Sequence, residues 1–350
     1  MYKPFCTVGL VIAAFSVAFA QHTIVGFDPP GSTFTTALGI NSNGTIVGLY
    51  YDAQNVIHGF TRDSAGSFTI IDVPSAANGP YEGTQATAIN DSGQVMGYFN
   101  PSSSPTSVQG FIRDTSGGFT IVSVPGAGAS LLLAMNNLGQ TAGCTAQGLS
   151  CALFGSADKG FVRDSTGTIT TFSPVNAQDT SAASMNVHGS VTGMYADSKG
   201  TLHGFVRSPS GHITEFDLPA YIGPGEGTEP FCINDSGFIT GSYDDKVTLQ
   251  RHGFIRDSKG SVSTFDVPGT DISTTPRAIN SSGTIAGWYS DSVAYHGFVR
   301  GSSGNITAFN APHAAQVPGY GTLSEAINST GQIAGFYWDI SGVAHGFLRQ

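Results

Sequence analysis

The stretch Ala278-Ile279-Asn280-Ser281-Ser282-Gly283-Thr284-Ile285-Ala286-Gly287-Trp288-Tyr289, followed shortly by His296-Gly297-Phe298-Val299-Arg300, decides the fold, because the chain repeats it. Its core, Asn-x-x-Gly-x-x-x-Gly, starts at Asn41, Asn90, Asn136, Asn186, Asn234, Asn280 and Asn328, at intervals of 49, 46, 50, 48, 46 and 48 residues. Gly-Phe-x-Arg also recurs seven times and ends on Arg62, Arg113, Arg163, Arg207, Arg256, Arg300 and Arg349. A third element is an extended segment that ends near a proline: Phe68–Pro74, Ile213–Pro219 and Val262–Pro268 are examples.

Each copy then predicts four strands. The first ends in Ile-Asn or Met-Asn. The Asn-x-x-Gly after it is turn chemistry, since Asn bonds nearby backbone and Gly takes a left-handed position. The second is apolar on both faces, which suits a sheet covered on both sides, and its central Gly admits a close neighbour. The third is His-Gly-Phe-x-Arg. The fourth is of the Thr-Phe-Asp-Val-Pro type and stops where Pro cannot continue a ladder. Four strands in a period of about 47 residues predict an all-β fold. The expected architecture is a seven-bladed β-propeller of four-stranded antiparallel blades. The segment Thr23–Pro30 is a lone fourth strand, and His345–Arg349 is a third strand with no fourth after it. The N-terminal strand is therefore expected to complete the C-terminal blade and close the ring, removing unpaired edges.

The combination Ile-Asn-x-x-Gly, His-Gly-Phe-x-Arg and Phe-Asp-x-Pro resembles the bacterial extracellular family called HAF repeats, over the whole chain after residue 20. The resemblance implies a secreted protein and supplies no catalytic residues. Copy three departs most from the pattern, with Lys159 at the histidine position; copy two has Gln109 there.

Composition narrows the function classes. Gly numbers 47, but without a Gly-x-y period it does not signal collagen. Charged residues are 11% and net charge is −10, which gives no electrostatic case for nucleic acid. Residues 1–20 read as a signal peptide: Lys3, an apolar stretch over 8–20, and an Ala18-Phe19-Ala20 cleavage site. Residues 21–350 then form one domain, expected to be a secreted monomer with no membrane insertion. Cys144 and Cys151 are expected to form a disulfide, worth about 2.5 kcal/mol for so short a loop. Cys232 is expected to be a small buried side chain at a position where other copies carry small residues.

The seven asparagines and seven arginines are expected to be structural. A buried Arg needs acceptors, and Asp at the ends of strands two and four is the expected source. The repeated histidines His58, His203, His252, His296 and His345 are expected to bond within their own blades, since residues spread around a ring cannot share one metal. No metal or other cofactor is expected. Ca²⁺ at Asp244-Asp245 lacks an EF-hand pattern, and no phosphate loop or Gly-x-Ser-x-Gly elbow occurs.

Function is expected where the copies differ. Loops between strands two and three, and from strand four to the next copy, vary in length and share one face. Four of the five glutamates, Glu82, Glu226, Glu229 and Glu325, lie in or just after the inter-copy linkers. Tyr81-Glu82-Gly83-Thr84, Gly225-Glu226-Gly227-Thr228 and Tyr320-Gly321-Thr322 occupy matching positions. Tyr81, Glu82, Glu226, Glu229, Tyr320 and Glu325 are therefore the candidate ligand residues. The expected role is a non-catalytic module that binds carbohydrate or protein. Two alternatives stand beside it: a polysaccharide hydrolase or lyase using the linker acids as a carboxylate pair, and a structural cell-envelope protein.

Overall fold

A computed structural model describes residues 22–104, 107–146, 158–219, 223–248, 250–270 and 272–350. The segment read as a signal peptide and Cys151 lie outside the described residues. Among those described there are 28 strands, and no helix is long and apolar enough to cross a membrane.

The strands form four-stranded antiparallel units in the order one-two-three-four. Copy one comprises Phe34–Ile40, Ile46–Tyr51, Ile57–Arg62 and Phe68–Ile71. Strand four is shorter than expected: Val262–Phe265 stops before Asp266, because the aspartate turns out of the ladder to meet a histidine. The last unit, Thr322–Ile327, Ile333–Trp338 and Ala344–Arg349, is completed by the N-terminal strand Ile24–Phe27, which pairs antiparallel with Ala344–Arg349. Two units join into one eight-stranded sheet through a single parallel pair, Arg251 with Ser273.

The repeated residues explain the packing. Every strand-three phenylalanine (Phe60, Phe111, Phe161, Phe205, Phe254, Phe298 and Phe347) is fully buried. Each lies against the strand-two glycine of its own unit. A Cβ on Gly48 would stand 2.0 Å from the Thr36 carbonyl oxygen and 2.9 Å from the Phe60 ring. No larger residue fits there.

Strand one carries a feature that the repeat pattern did not announce. In all seven copies its register shifts by one residue, leaving Leu38, Thr87, Leu133, Ala183, Phe231, Arg277 and Glu325 unpaired in the ladder. This is a β-bulge, which bends a strand and re-aims a side chain. Strand one is the edge of its own unit, which is where Pro230 and Pro276 are tolerated. Strands one of successive copies pack on one another, and that of copy one also packs on that of copy seven.

Candidate functional site

At one end of the units the asparagines act alike. Asn41 Oδ1 accepts from the Asn43 and Thr45 N–H groups, which fixes the turn. Its Nδ2 donates to the Asn90 carbonyl, 3.2 Å away. The same donation runs from Asn90 to Asn136, Asn186, Asn234, Asn280 and Asn328 in turn. Asn328 then donates to the Asn41 carbonyl at 2.9 Å, so the series ends where it began.

The arginines are half-spent on aromatic rings rather than on aspartates. Arg62 lies 4.8 Å over Phe27, and Arg207, Arg256, Arg300 and Arg349 stack likewise on Phe172, Phe216, Phe265 and Phe309 of the preceding unit. Arg62, Arg163, Arg207, Arg256 and Arg300 donate to the carbonyl of the following residue. The expected Asp acceptors are occupied elsewhere, so this assignment is corrected. Arg113 packs beside Gly117 in the same kind of turn.

Those aspartates hold the histidines at the opposite end. His58 Nδ1 donates to Asp72 (3.0 Å), its Nε2 lies 3.5 Å from Asp52, and its ring stacks on Tyr50. His203 repeats this with Asp217, Asp197 and Tyr195, and His345 with Asp28, Asp339 and Tyr337. His296 uses Asn310 and Asp291, and His252 uses Asp266. The loop aspartate serves twice. Asp52 Oδ1 accepts from the Gln54 and Val56 N–H groups, and this holds its carboxyl below the usual range.

The linker motif is a clasp. The Ile57 N–H donates to the Glu82 carbonyl, Leu202 to Glu226 and Tyr295 to Tyr320. The next residue must be Gly: Gly83, Gly227 and Gly321 have φ of +135°, +144° and +133°, and a Cβ on each would stand 2.0 Å from the carbonyl oxygen of the strand it crosses. The parallel pair of Arg251 with Ser273 is the same junction, which explains the eight-stranded sheet.

The candidate acids do not converge as a free pair. Glu82 accepts from its own loop at the Gly79 N–H, and Glu226 Oε2 is buried with no hydrogen-bond partner among the described residues. Glu229 is bonded by Arg251, which also holds Asp244 at 3.0 Å. Burial pushes the Glu229 carboxyl up, against the pull of Arg251. Glu325 accepts from Arg277 Nε at 2.9 Å, and that guanidinium lies 4.9 Å over Phe231. Arg277 thus bridges the bulge positions of its two neighbouring copies, Phe231 and Glu325. Tyr81 is 65% exposed and meets Tyr51, which stacks on Phe34. Tyr320 meets Trp338, which meets Phe336. Cys144 is disulfide-bonded and buried, and Cys232 is a free thiol beside Ser184. Among the described residues, no group of three His, Cys, Asp or Glu is placed to hold a metal. Asp245 is tied to the N–H groups of Val247 and Thr248.

The copies differ on one side of each sheet. Thr35, Tyr50 and His58 share a register and a face, and that face is nearly constant. One residue along, on the opposite face, strand two carries Leu49, Tyr98, Cys144, Met194, Ser242, Trp288 and Phe336. Seven copies place seven different residues there. Their strand-one partners differ too, from Thr36 and Gln85 to Glu229 and Leu323. Leu49, Cys144 and Ser242 of this set are buried, and Tyr98, Met194, Trp288 and Phe336 are half-buried, a variable side that sequence reasoning missed.

No family model and no curated protein matches the chain. Solved structures do match. A streptogramin B lyase aligns at TM-score 0.59 and 12% identity, over 94% of this chain and 98% of that one. A catalytically inactive virginiamycin B lyase from Staphylococcus aureus with quinupristin aligns at 0.61 and 12%, over 94% and 100%. The β-propeller domain of the Trilobed protease from Pyrococcus furiosus aligns at 0.60 and 8%, over 91% and 97%. At such identity the likeness carries the fold, a β-propeller, and no activity.

Proposed function

We propose that the chain is a secreted HAF-repeat protein, a closed seven-bladed propeller that binds carbohydrate or protein on its variable-loop face without chemistry. Closure is supported by the pairing of Ile24–Phe27 with Ala344–Arg349 and by the Asn328-to-Asn41 hydrogen bond. The observation that carries binding is one strand-two position at which the partly accessible Tyr98, Met194, Trp288 and Phe336 all differ, in a chain otherwise repeated closely. A purely structural ring has no use for variation confined to one side. Aromatic rings at Tyr81 and Tyr320 add flat apolar area beside polar groups, which suits sugars and protein loops alike. The hydrolase and lyase readings are weakened by the acids themselves. Glu229 and Glu325 are held by arginines, whereas glycoside hydrolysis needs two carboxyls facing one bond.

The test is a glycan array and a protein pull-down with residues 21–350, repeated with Tyr81→Ala combined with Trp338→Ala. Capture of a ligand by the unmodified chain, weakened at least tenfold in the variant at unchanged melting temperature, is the expected result. Capture of nothing leaves the envelope role. Release of shortened glycan restores the enzyme.

A further inference from the structure

The fourth and fifth units enclose a cleft on the variable-loop face that none of the candidate residues lines. Its cavity of about 370 Å³ has a floor of Leu202, Leu218 and Pro219, a volume within the range of small-ligand sites. Lys199 and Lys246 stand at its sides. They are two of only five lysines in the chain. Neither ammonium has an ion pair or hydrogen bond among the described residues, and both residues are exposed.

The acids of the cleft are differently placed. Asp197 and Asp217 flank His203, at 3.7 Å from Nε2 and 2.9 Å from Nδ1. Asp197 also ties the loop through the Lys199 and Thr201 N–H groups. Both carboxylates line the cleft and keep acceptor capacity beyond these bonds. The cleft thus offers two uncommitted cations, two acceptors and an apolar floor. A bare anion would meet the aspartates, and a neutral sugar would gain nothing from the ammoniums. A sugar ring that carries both a carboxylate and hydroxyls satisfies all three. Two further cavities, about 490 and 300 Å³, adjoin across the same loop and share Asp197. There Tyr195 donates to Glu215 at 2.9 Å. That glutamate replaces the Gly, Ile, Thr or Ala of the other copies.

We infer that the cleft between units four and five binds an acidic saccharide of the uronate class. Lys199 and Lys246 hold one sugar carboxylate, and Asp217 and Asp197 accept from ring hydroxyls. The inference rests on the binding reading above and names its ligand class.

Titration calorimetry with trigalacturonate and with its methyl ester separates the two readings. The ester keeps the hydroxyls and lacks the charges. The acid should bind, the ester at least tenfold more weakly, and added salt should weaken the acid alone. Lys199→Gln with Lys246→Gln should bring the acid down to the level of the ester, at unchanged melting temperature. Equal binding of acid and ester overturns the acidic site and leaves the propeller a saccharide binder. An acid preference that survives the double substitution overturns the lysine assignment. Binding of neither form overturns the inference, while the binding reading still stands or falls on the array and the pull-down.

Discussion

The two ends of the sheets are built from one repeat and behave as opposites. At the turn end, seven asparagines make the same bonds to the same neighbours, and each arginine described against a ring stacks on the unit before it. At the loop end, aspartate, histidine and tyrosine hold one side of the sheet constant in five of the seven units, and the other side differs from unit to unit. Repetition carries the shared bonds, and its local failure sets the units apart. The two can be separated by mutation because they sit at different registers of the same strands.

The strand-two glycine belongs to both ends, so its loss should be worst. Gly241→Val would drive a Cβ toward the Glu229 carbonyl, 2.1 Å away, and should cost at least about 3 kcal/mol in urea unfolding. Asn186→Ala removes one buried donation to Asn234 and two acceptances, from His188 and Ser190. A loss of roughly 2–3 kcal/mol is expected. Arg256→Ala removes a ring contact and one hydrogen bond, for about 1–2 kcal/mol, with ligand capture unchanged. Tyr81→Ala at the loop end should leave stability within about 0.5 kcal/mol while weakening capture. If Asn186→Ala and Tyr81→Ala cost the same, the contrast between the ends is broken.

Acid supplies the last and gentlest probe. Backbone hydrogen bonds hold the carboxyls of Asp52, Asp257 and Asp339 below their ordinary value. A lowered folded-state pKa stabilises the fold above the unfolded value and is lost as pH falls through the folded one. Melting temperature should therefore hold at neutral pH and decline below about pH 4. Asp257→Ala should flatten that decline slightly. A chain whose stability rises on acidification would contradict the turn assignments.

The framework was legible because it repeats. Asn-x-x-Gly names its turn, and a glycine fixed between apolar neighbours announces a backbone crossing. The split fourth strand announced its partner at the far end of the chain. What stayed hidden has no local signature. The bulge falls on Leu38, Thr87 and Arg277 alike, so no residue type marks it. The arginine partners were misjudged because Arg256 and Phe216 are far apart in sequence and meet only between units. The motif around Glu82 and Glu226 is set by the glycine after each, which the clasp requires, and the sequence alone did not show that. Lys199 and Lys246 belong to different copies, and only the packing of units four and five makes them neighbours.

The meeting of the first and last strands has an engineering consequence. The Gln350 N–H donates to the Thr23 carbonyl at 2.9 Å, and His22 Nδ1 lies 3.0 Å from the Gln350 carbonyl oxygen. Residues 22 and 350 are therefore within reach of a short peptide bridge. The polypeptide can be spliced there and reopened in any Asp-Ser-x-Gly turn between strands three and four, giving a circular permutant that loses only the hydrogen bonds of the opened turn. Displaying the variable side from a new pair of termini would then be a matter of choosing the turn.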